Sequence, residues 1–430
     1  MRIAYITAGA AGMYCGSCLH DNTLSAAMQR QGHDVALVPT YTPTRTDEDN
    51  VSIDRVFYGA LNVYLEQKWS FFQHSPALVH WLLDRRPVLD LVSRMAGSYA
   101  TQGADLGELT LSMLQGEKGN QASELVRLVA WLRDEYKPDI VHITNSMLIG
   151  MASALKRELQ VPVVCSVQGE DIFLGDIVEP WPGRVQAEMR AHAGDIDTFI
   201  APSRYYARHM AGYLRVEEEC MRVVPLGIKL EGHQSAAPHE GLPFTIGYLA
   251  RICPEKGLHC LVEAFIELAL ENPDARLRIA GYLAPRDQAY HDQQAQKVAA
   301  AGLGARVDWL GEVDRKGKLE LLRSLDVLCM PTTYHESKGL PVLEALASGV
   351  PVVLPEHGAF PELIEWTGGG VLVEPNSRAA LVDGLTDLLD DSEGRTAMGR
   401  AGRQAVHEKF SDDAMATATL KEYERVLCMN

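Results

Sequence analysis

The chain has 430 residues, 47% hydrophobic and 23% charged, an ordinary globular composition but too long for one hydrophobic core. Its formal net charge of −17 argues against a nucleic acid or an anionic membrane held by bulk electrostatics. No apolar run approaches the roughly 18 residues that a membrane-spanning helix needs, so a transmembrane segment is not expected.

The opening MRIAYITAG lacks a cationic region followed by a long apolar stretch, and reads as a first strand, not a signal peptide. Strands are expected at Ile3–Thr7 and Val35–Pro39, with a helix at Leu19–Arg30 between them. Gly9, Gly12 and Gly16 fall in the turn after the first strand. In doubly wound folds ligands lie at the carboxyl ends of strands, and glycine lets the backbone approach them, so Gly16 is a candidate binding residue. The competing reading is that these glycines serve the turn alone. Cys15-Gly16-Ser17-Cys18 spells C-x-x-C, but no further ligands at zinc spacing accompany it, and packing thiols are the simpler account. The eight cysteines are scattered, several in apolar strands, which fits free thiols in a reducing cytoplasm. His20 and Asp21 follow on the same helix; they either face an acceptor or form a solvated or structural pair.

From Val51 to Asp134 the alternation breaks. Tyr58, Tyr64, Trp69, Phe71, Phe72 and Trp81 crowd into a segment with little strand character, followed by an expected helix at Leu82–Met95. An insertion of this length is functional or a subdomain more often than loose loop. Gly116–Asn120 is its expected flexible spot. Alternation then resumes with a strand at Ile140–Ile143, a helix near Met147–Leu159, strands at Val161–Val167 and Phe199–Ile200, and a helix from Ser203 to Leu214. Asp195-Ile196-Asp197 matches the D-x-D of metal-dependent sugar transfer, yet it stands just before a strand and reads as a structural turn.

Leu230–Leu242 is small, polar and proline-containing, as an interdomain linker should be. Strands are expected after it at Thr245–Tyr248, Leu277–Ala280, Val307–Leu310, Val327–Met330, Val352–Leu354 and Gly370–Val373. From Arg378 onward the pattern is helical. Strand alternating with helix in both halves implies two parallel, doubly wound α/β domains.

Two clusters carry chemistry. Ala250-Arg251-Ile252-Cys253-Pro254-Glu255-Lys256-Gly257 lies on a strand-to-helix loop, where paired cations commonly hold phosphates. Pro331–Pro351 then reads strand, loop, helix, with Glu336 in the loop and Glu344 in the first helical turns. Gly339 and Leu340 fall at the helix start, where free amides and the helix dipole favour an anion. A sugar, a phosphate and a ribose in a row fit that layout. An isolated pair of acids would be no more than two solvated side chains on a surface helix.

Together the clusters resemble the group 1 (family 4) retaining nucleotide-sugar glycosyltransferases, whose hallmark is G-R-L-x-x-x-K-G followed by E-x7-E. The resemblance covers nearly the whole length. It implies two Rossmann-like domains facing across a cleft: residues 1–228 on the acceptor side, with the insertion near 51–134 shaping the acceptor site, and residues 229–410 binding the nucleotide sugar. A helix over 411–430 would return to the first domain. It implies that Arg251 and Lys256 hold the diphosphate, that Glu336 meets the donor sugar and that Glu344 holds the ribose. Amides near Gly339 and Leu340 would assist. Where relatives carry a histidine against the transferred sugar this chain has Gln168, which can bond a hydroxyl but cannot act as a base. Their Asn-Gly-Val-Asp is Leu226-Gly227-Ile228-Lys229 here.

The resulting expectation is a cytoplasmic, metal- and cofactor-independent hexosyltransferase, with UDP-glucose as the default donor and a carbohydrate, lipid-linked or small-molecule acceptor. A phosphorylase, a nucleotide-sugar epimerase and a non-catalytic nucleotide-sugar sensor are the alternatives.

Overall fold

The computed structural model describes residues 1–9, 16–57, 103–234 and 243–429. Gly12, Cys15, the aromatics from Tyr58 to Trp81, the helix expected at Leu82–Met95 and linker residues 235–242 lie outside the described residues. The chain divides into two compact units, Met1–Gly227 with Asp412–Asn430, and Ile228–Ser411.

The first unit runs β1 (Arg2–Thr7), α1 (Gly16–Arg30), β2 (Asp34–Pro39), α2 (Gly103–Leu114), α3 (Ala122–Trp131), β3 (Ile140–Ile143) and α4 (Ala152–Leu159). It continues with β4 (Val163–Ser166), α5 (Pro182–His192), β5 (Thr198–Ala201), α6 (Arg204–Leu214) and β6 (Met221–Val223). The sheet order is β2-β1-β3-β4-β5-β6, with every pairing parallel. Its central strands are mostly apolar and β-branched because helices cover both faces; β3, β4 and β5 are buried throughout, His142 and Ser166 included. Helix starts are set locally. The Ser203 hydroxyl accepts from the Tyr206 amide and opens α6 at the position expected.

In Gly116–Asn120, the expected flexible spot, Gly116 is buried at φ +55° with a Cβ position 2.1 Å from the Gly150 carbonyl oxygen, while Glu117 and Lys118 are exposed. The edge strand β6 escaped notice because only Met221 of its three residues is buried, so no apolar run marks it.

The C-terminal helix Asp412–Met429 belongs to the first unit. Arg30 holds Asp412 at 2.6 Å and Asp413 at 2.8 Å. Deeper in, the Tyr423 hydroxyl hydrogen-bonds His142 Nδ1 on β3, and His142 Nε2 meets Ser166 Oγ at 2.8 Å.

The second unit runs β7 (Thr245–Leu249), α7 (Leu258–Glu271), β8 (Arg276–Ala280), α8 (Gln288–Ala300), β9 (Val307–Gly311), α9 (Arg315–Arg323) and β10 (Val327–Cys329). It ends with α10 (Leu340–Ala347), β11 (Val352–Pro355), α11 (Phe360–Thr367), β12 (Gly370–Val373), α12 (Arg378–Asp390) and α13 (Ser392–Lys409). Its order is β12-β11-β10-β7-β8-β9, again all parallel. From β7 the chain winds outward through β8 and β9, and from β10 it winds the other way. β7 and β10 are therefore neighbours whose following loops part company, which is the topological switch point where such sheets bind ligands. Among the described residues no helix is long and apolar enough to cross a membrane.

Candidate functional site

Both sequence clusters fall at that switch point. The Arg251–Lys256 loop leaves β7, and the Glu336 loop leaves β10. Gly257 makes their close approach possible: it sits at φ +72°, and a Cβ would lie 1.7 Å from the Pro331 carbonyl oxygen. The Tyr248 hydroxyl donates to the Arg251 carbonyl at 3.0 Å, and the Thr333 amide donates to the Glu255 carbonyl at 3.0 Å. The two loops are one backbone assembly.

Lys256 and Glu336 meet there. Lys256 Nζ lies 2.8 Å from Glu336 Oε2, with side chains 14% and 8% exposed. Tyr334, which the sequence reading did not single out, joins them. Its hydroxyl donates to Glu336 Oε2 at 2.5 Å and accepts from Lys256, whose ammonium also stands 4.6 Å above the Tyr334 ring centre. Burial works to raise the Glu336 carboxyl, but the Lys256 ammonium, Tyr334 and the Lys338 amide bring it down to about 2. Glu336 is a carboxylate at neutral pH. Arg251, on the same loop as Lys256, makes no side-chain hydrogen bond or ion pair among the described residues.

Gly339 caps α10 in the left-handed conformation at φ +73°, and Pro341 occupies its first turn. Pro341 has no N–H and the Val342 amide donates to the Gly339 carbonyl at 3.0 Å, so the donors this helix start offers beside Glu336 are the amides around Gly339 and Leu340. Glu344 stands one turn further on, 6% exposed in its side chain, and Lys318 Nζ of α9 lies 2.5 Å from its Oε1. Lys318, like Tyr334, is a partner of a candidate site residue that the sequence pattern did not mark.

The first unit places its candidates at the carboxyl ends of β1, β3 and β4. Gly9 closes the turn after β1 at φ +79°, and Gly16 is the exposed first residue of α1. Gln168 follows β4 and is buried. Its amide nitrogen donates to Asp21 Oδ1, the Thr144 carbonyl and Thr144 Oγ1, each at 3.0 Å. Asp21 is fully buried and also accepts from Tyr5 at 3.0 Å, Thr7 at 2.6 Å and Thr144 at 2.6 Å, with His20 Nδ1 at 3.0 Å. Burial opposes its charge, yet His20 and the hydroxyl donors hold its carboxyl below the usual range. Of the readings the sequence left open for Asp21, the structure gives the structural one. Asp21 ties the ends of β1, β3 and β4 together, and the Gln168 nitrogen is part of that tie.

Asp197 of the D-x-D is engaged by Lys156 at 2.7 Å and by the Val163 amide at 2.8 Å. Asp195 lies 3.4 Å from His192 Nδ1. Both serve local structure. Cys18 is buried. Among the described residues no group of three His, Cys, Asp or Glu side chains is placed to hold a metal ion.

With this geometry in view, comparison with known proteins is decisive. The family model "Glycosyl transferases group 1" matches residues 233–405, and "Glycosyl transferase 4-like domain" matches residues 22–227. The chain belongs to the group 1 glycosyltransferases. It is 32% identical to phosphatidyl-myo-inositol mannosyltransferase of Mycobacterium tuberculosis over 47% of this chain and 53% of that one. The chain therefore spans about half the length of that relative. It is 29% identical to D-inositol 3-phosphate glycosyltransferase of Xylanimonas cellulosilytica, over 80% of this chain and 83% of the relative. Among solved structures, sucrose-phosphate synthase of Thermosynechococcus elongatus superposes with a TM-score of 0.73 at 16% identity, covering 100% of each chain. Anabaena HepE in complex with UDP-glucose superposes at 0.67, also at 16% identity and covering 100% of each. These likenesses establish the fold, two six-stranded parallel sheets with flanking helices of the GT-B type.

Proposed function

We propose that the chain is a retaining hexosyltransferase that moves a sugar from a nucleoside diphosphate to an acceptor hydroxyl without a metal ion. The observation that carries this reading is the Lys256–Glu336 pair, where a cationic loop and an ionised acid meet at the switch point of the second unit, beside the start of α10. Breaking the bond between the anomeric carbon and phosphate leaves positive character on the sugar and negative charge on the diphosphate. Arg251, Lys256 and the first amides of α10 stabilise that charge most when it is greatest, so binding becomes catalysis. These cations do the work a metal ion would otherwise do. Glu344 holds the ribose.

The new bond joins the anomeric carbon to the acceptor oxygen, and the acceptor proton passes to the departing phosphate oxygen. Glu336 takes no part as an acid, because its carboxyl is ionised down to about pH 2. Its task is a hydrogen bond to the donor sugar. The Glu336–Glu344 pair is not the acid and nucleophile of a glycosidase.

HepE was solved with UDP-glucose, and UDP-glucose remains the default donor. Two relatives are named for inositol-based acceptors, which makes a cyclic polyol the first acceptor to try. The test is release of nucleoside diphosphate from UDP-, GDP- and ADP-hexoses, with and without myo-inositol acceptors and with EDTA. Proton NMR of the product then reads its anomeric configuration. Release that needs added metal, or an inverted product, refutes the corresponding part.

A second reading, a sensor that binds donor without turnover, is favoured by one observation: the Gln168 amide nitrogen is committed to Asp21 and Thr144. Tight donor binding with no release under any acceptor would establish it.

A further inference from the structure

The two cations of the diphosphate loop differ in what they hold. Arg251 has no side-chain hydrogen bond or ion pair among the described residues. Lys256 is committed to Glu336 at 2.8 Å and to the Tyr334 hydroxyl. A diphosphate reaching this loop meets one cation that is already paired.

Glu336 does not depend on Lys256 alone. Its Oε1 accepts from the backbone amides of Ser337 at 3.2 Å and Lys338 at 3.4 Å, and its Oε2 accepts from Tyr334 at 2.5 Å. Backbone holds it too: its carbonyl accepts from the Ala359 amide at 2.8 Å, and Gly358 packs against it so closely that a Cβ would lie 2.6 Å from that oxygen. When Lys256 turns away, the carboxylate keeps its place and the tyrosine hydroxyl still orients Oε2.

We propose that Glu336 competes with the donor diphosphate for Lys256, and that Tyr334 is the positioning residue that keeps Glu336 aimed once Lys256 is drawn off. The inference rests on the reading of Lys256 as a diphosphate ligand. It gives the pair a role in the reaction sequence. A diphosphate carries more charge than a carboxylate and wins the ammonium, so an Oε2 lone pair becomes available to a sugar hydroxyl only after the diphosphate has bound. Part of the binding energy of the nucleotide end is thereby spent on preparing the sugar end.

The experiment is calorimetric titration of UDP, GDP and ADP into the full-length chain and into Glu336→Gln, Tyr334→Phe and Lys256→Met, with thermal unfolding as the check on folding. The diphosphate that the unsubstituted chain binds should bind Glu336→Gln about 3- to 10-fold tighter, as expected from removing a competing carboxylate. Tyr334→Phe keeps the ring under Lys256 and loses only the hydroxyl. It should bind that diphosphate at least as well, while kcat with the corresponding nucleoside-diphosphate glucose falls at least about 10-fold at nearly unchanged KM.

If Lys256→Met weakens the diphosphate but Glu336→Gln does not tighten it, the competition is overturned and the diphosphate site stands. If Lys256→Met binds it undiminished, or no diphosphate binds at all, both fall. An unchanged kcat in Tyr334→Phe removes Tyr334 from its role. Should Glu336→Gln fail to fold, Glu336→Ala takes its place: tighter diphosphate binding there decides for the competition, and unchanged or weaker binding decides against it.

Discussion

Lys318 on α9 and Glu344 on α10 form an ion pair at 2.5 Å with side chains 9% and 6% exposed, 26 residues apart in sequence. A buried carboxylate is costly without a compensating cation, and Lys318 supplies one. The acid that the family resemblance assigns to a ribose is thus held by a lysine on a neighbouring helix.

Removing one member of a buried pair strands the other. Lys318→Met should lower the stability of the second unit by about 3 kcal/mol in urea unfolding, and the double substitution Lys318→Met/Glu344→Gln should recover much of the loss. Equal stability of the single and double variants would show that the pair is not coupled.

Lys256→Met should lower kcat/KM by at least about 100-fold, the order expected for losing one fixed charge-stabilising group at a departing anion. Retained secondary structure in circular dichroism would place the loss in the site. Full activity would contradict the assignment of the cationic loop.

Gly257→Ala should destabilise by about 2 kcal/mol or more and remove transfer activity. The residue is left-handed, and the new methyl would lie 1.7 Å from the Pro331 carbonyl oxygen, so the two loops must part. A crystal structure of the variant with both loops undisturbed would refute this.

His142 gives a pH dependence. Burial pushes its imidazole down to about 3 from an ordinary 6.5, with Asp21 opposing and His20 adding slightly. The unfolded chain therefore takes up a proton near pH 6.5 that the folded chain refuses. The stability from this histidine is complete above pH 6.5 and is lost as pH falls toward about 3, with a slope of up to about 1.4 kcal/mol per pH unit. Comparing unfolding free energies at pH 7.5 and 5 in the native chain and in His142→Asn isolates it. The substituted chain should show the shallower slope.

What could be read from the chain itself was the repeating part. Apolar, β-branched runs at regular intervals between helical segments mark eleven of the twelve strands directly enough to imply two parallel sheets, and β2 of the first unit as plainly as β11 of the second. Covered strands must be continuously apolar, and that leaves a local trace. The three-residue edge strand β6 leaves none. The strand-to-helix loops carrying Arg251, Lys256 and Glu336, and the helix start that carries Glu344, were equally visible, because each follows an apolar strand and opens a helical pattern.

Only the folded chain decided who pairs with whom. Tyr334 looks like an ordinary loop aromatic until the switch point brings the β7 and β10 loops together, 78 residues apart in sequence, around Lys256. Asp21 and Gln168 are 147 residues apart, and Lys318 is an unremarkable helix lysine before the fold brings it to Glu344. Local patterns record what each segment must bury. A buried charge is decided by the partner the fold delivers, and that partner leaves no mark nearby in the sequence.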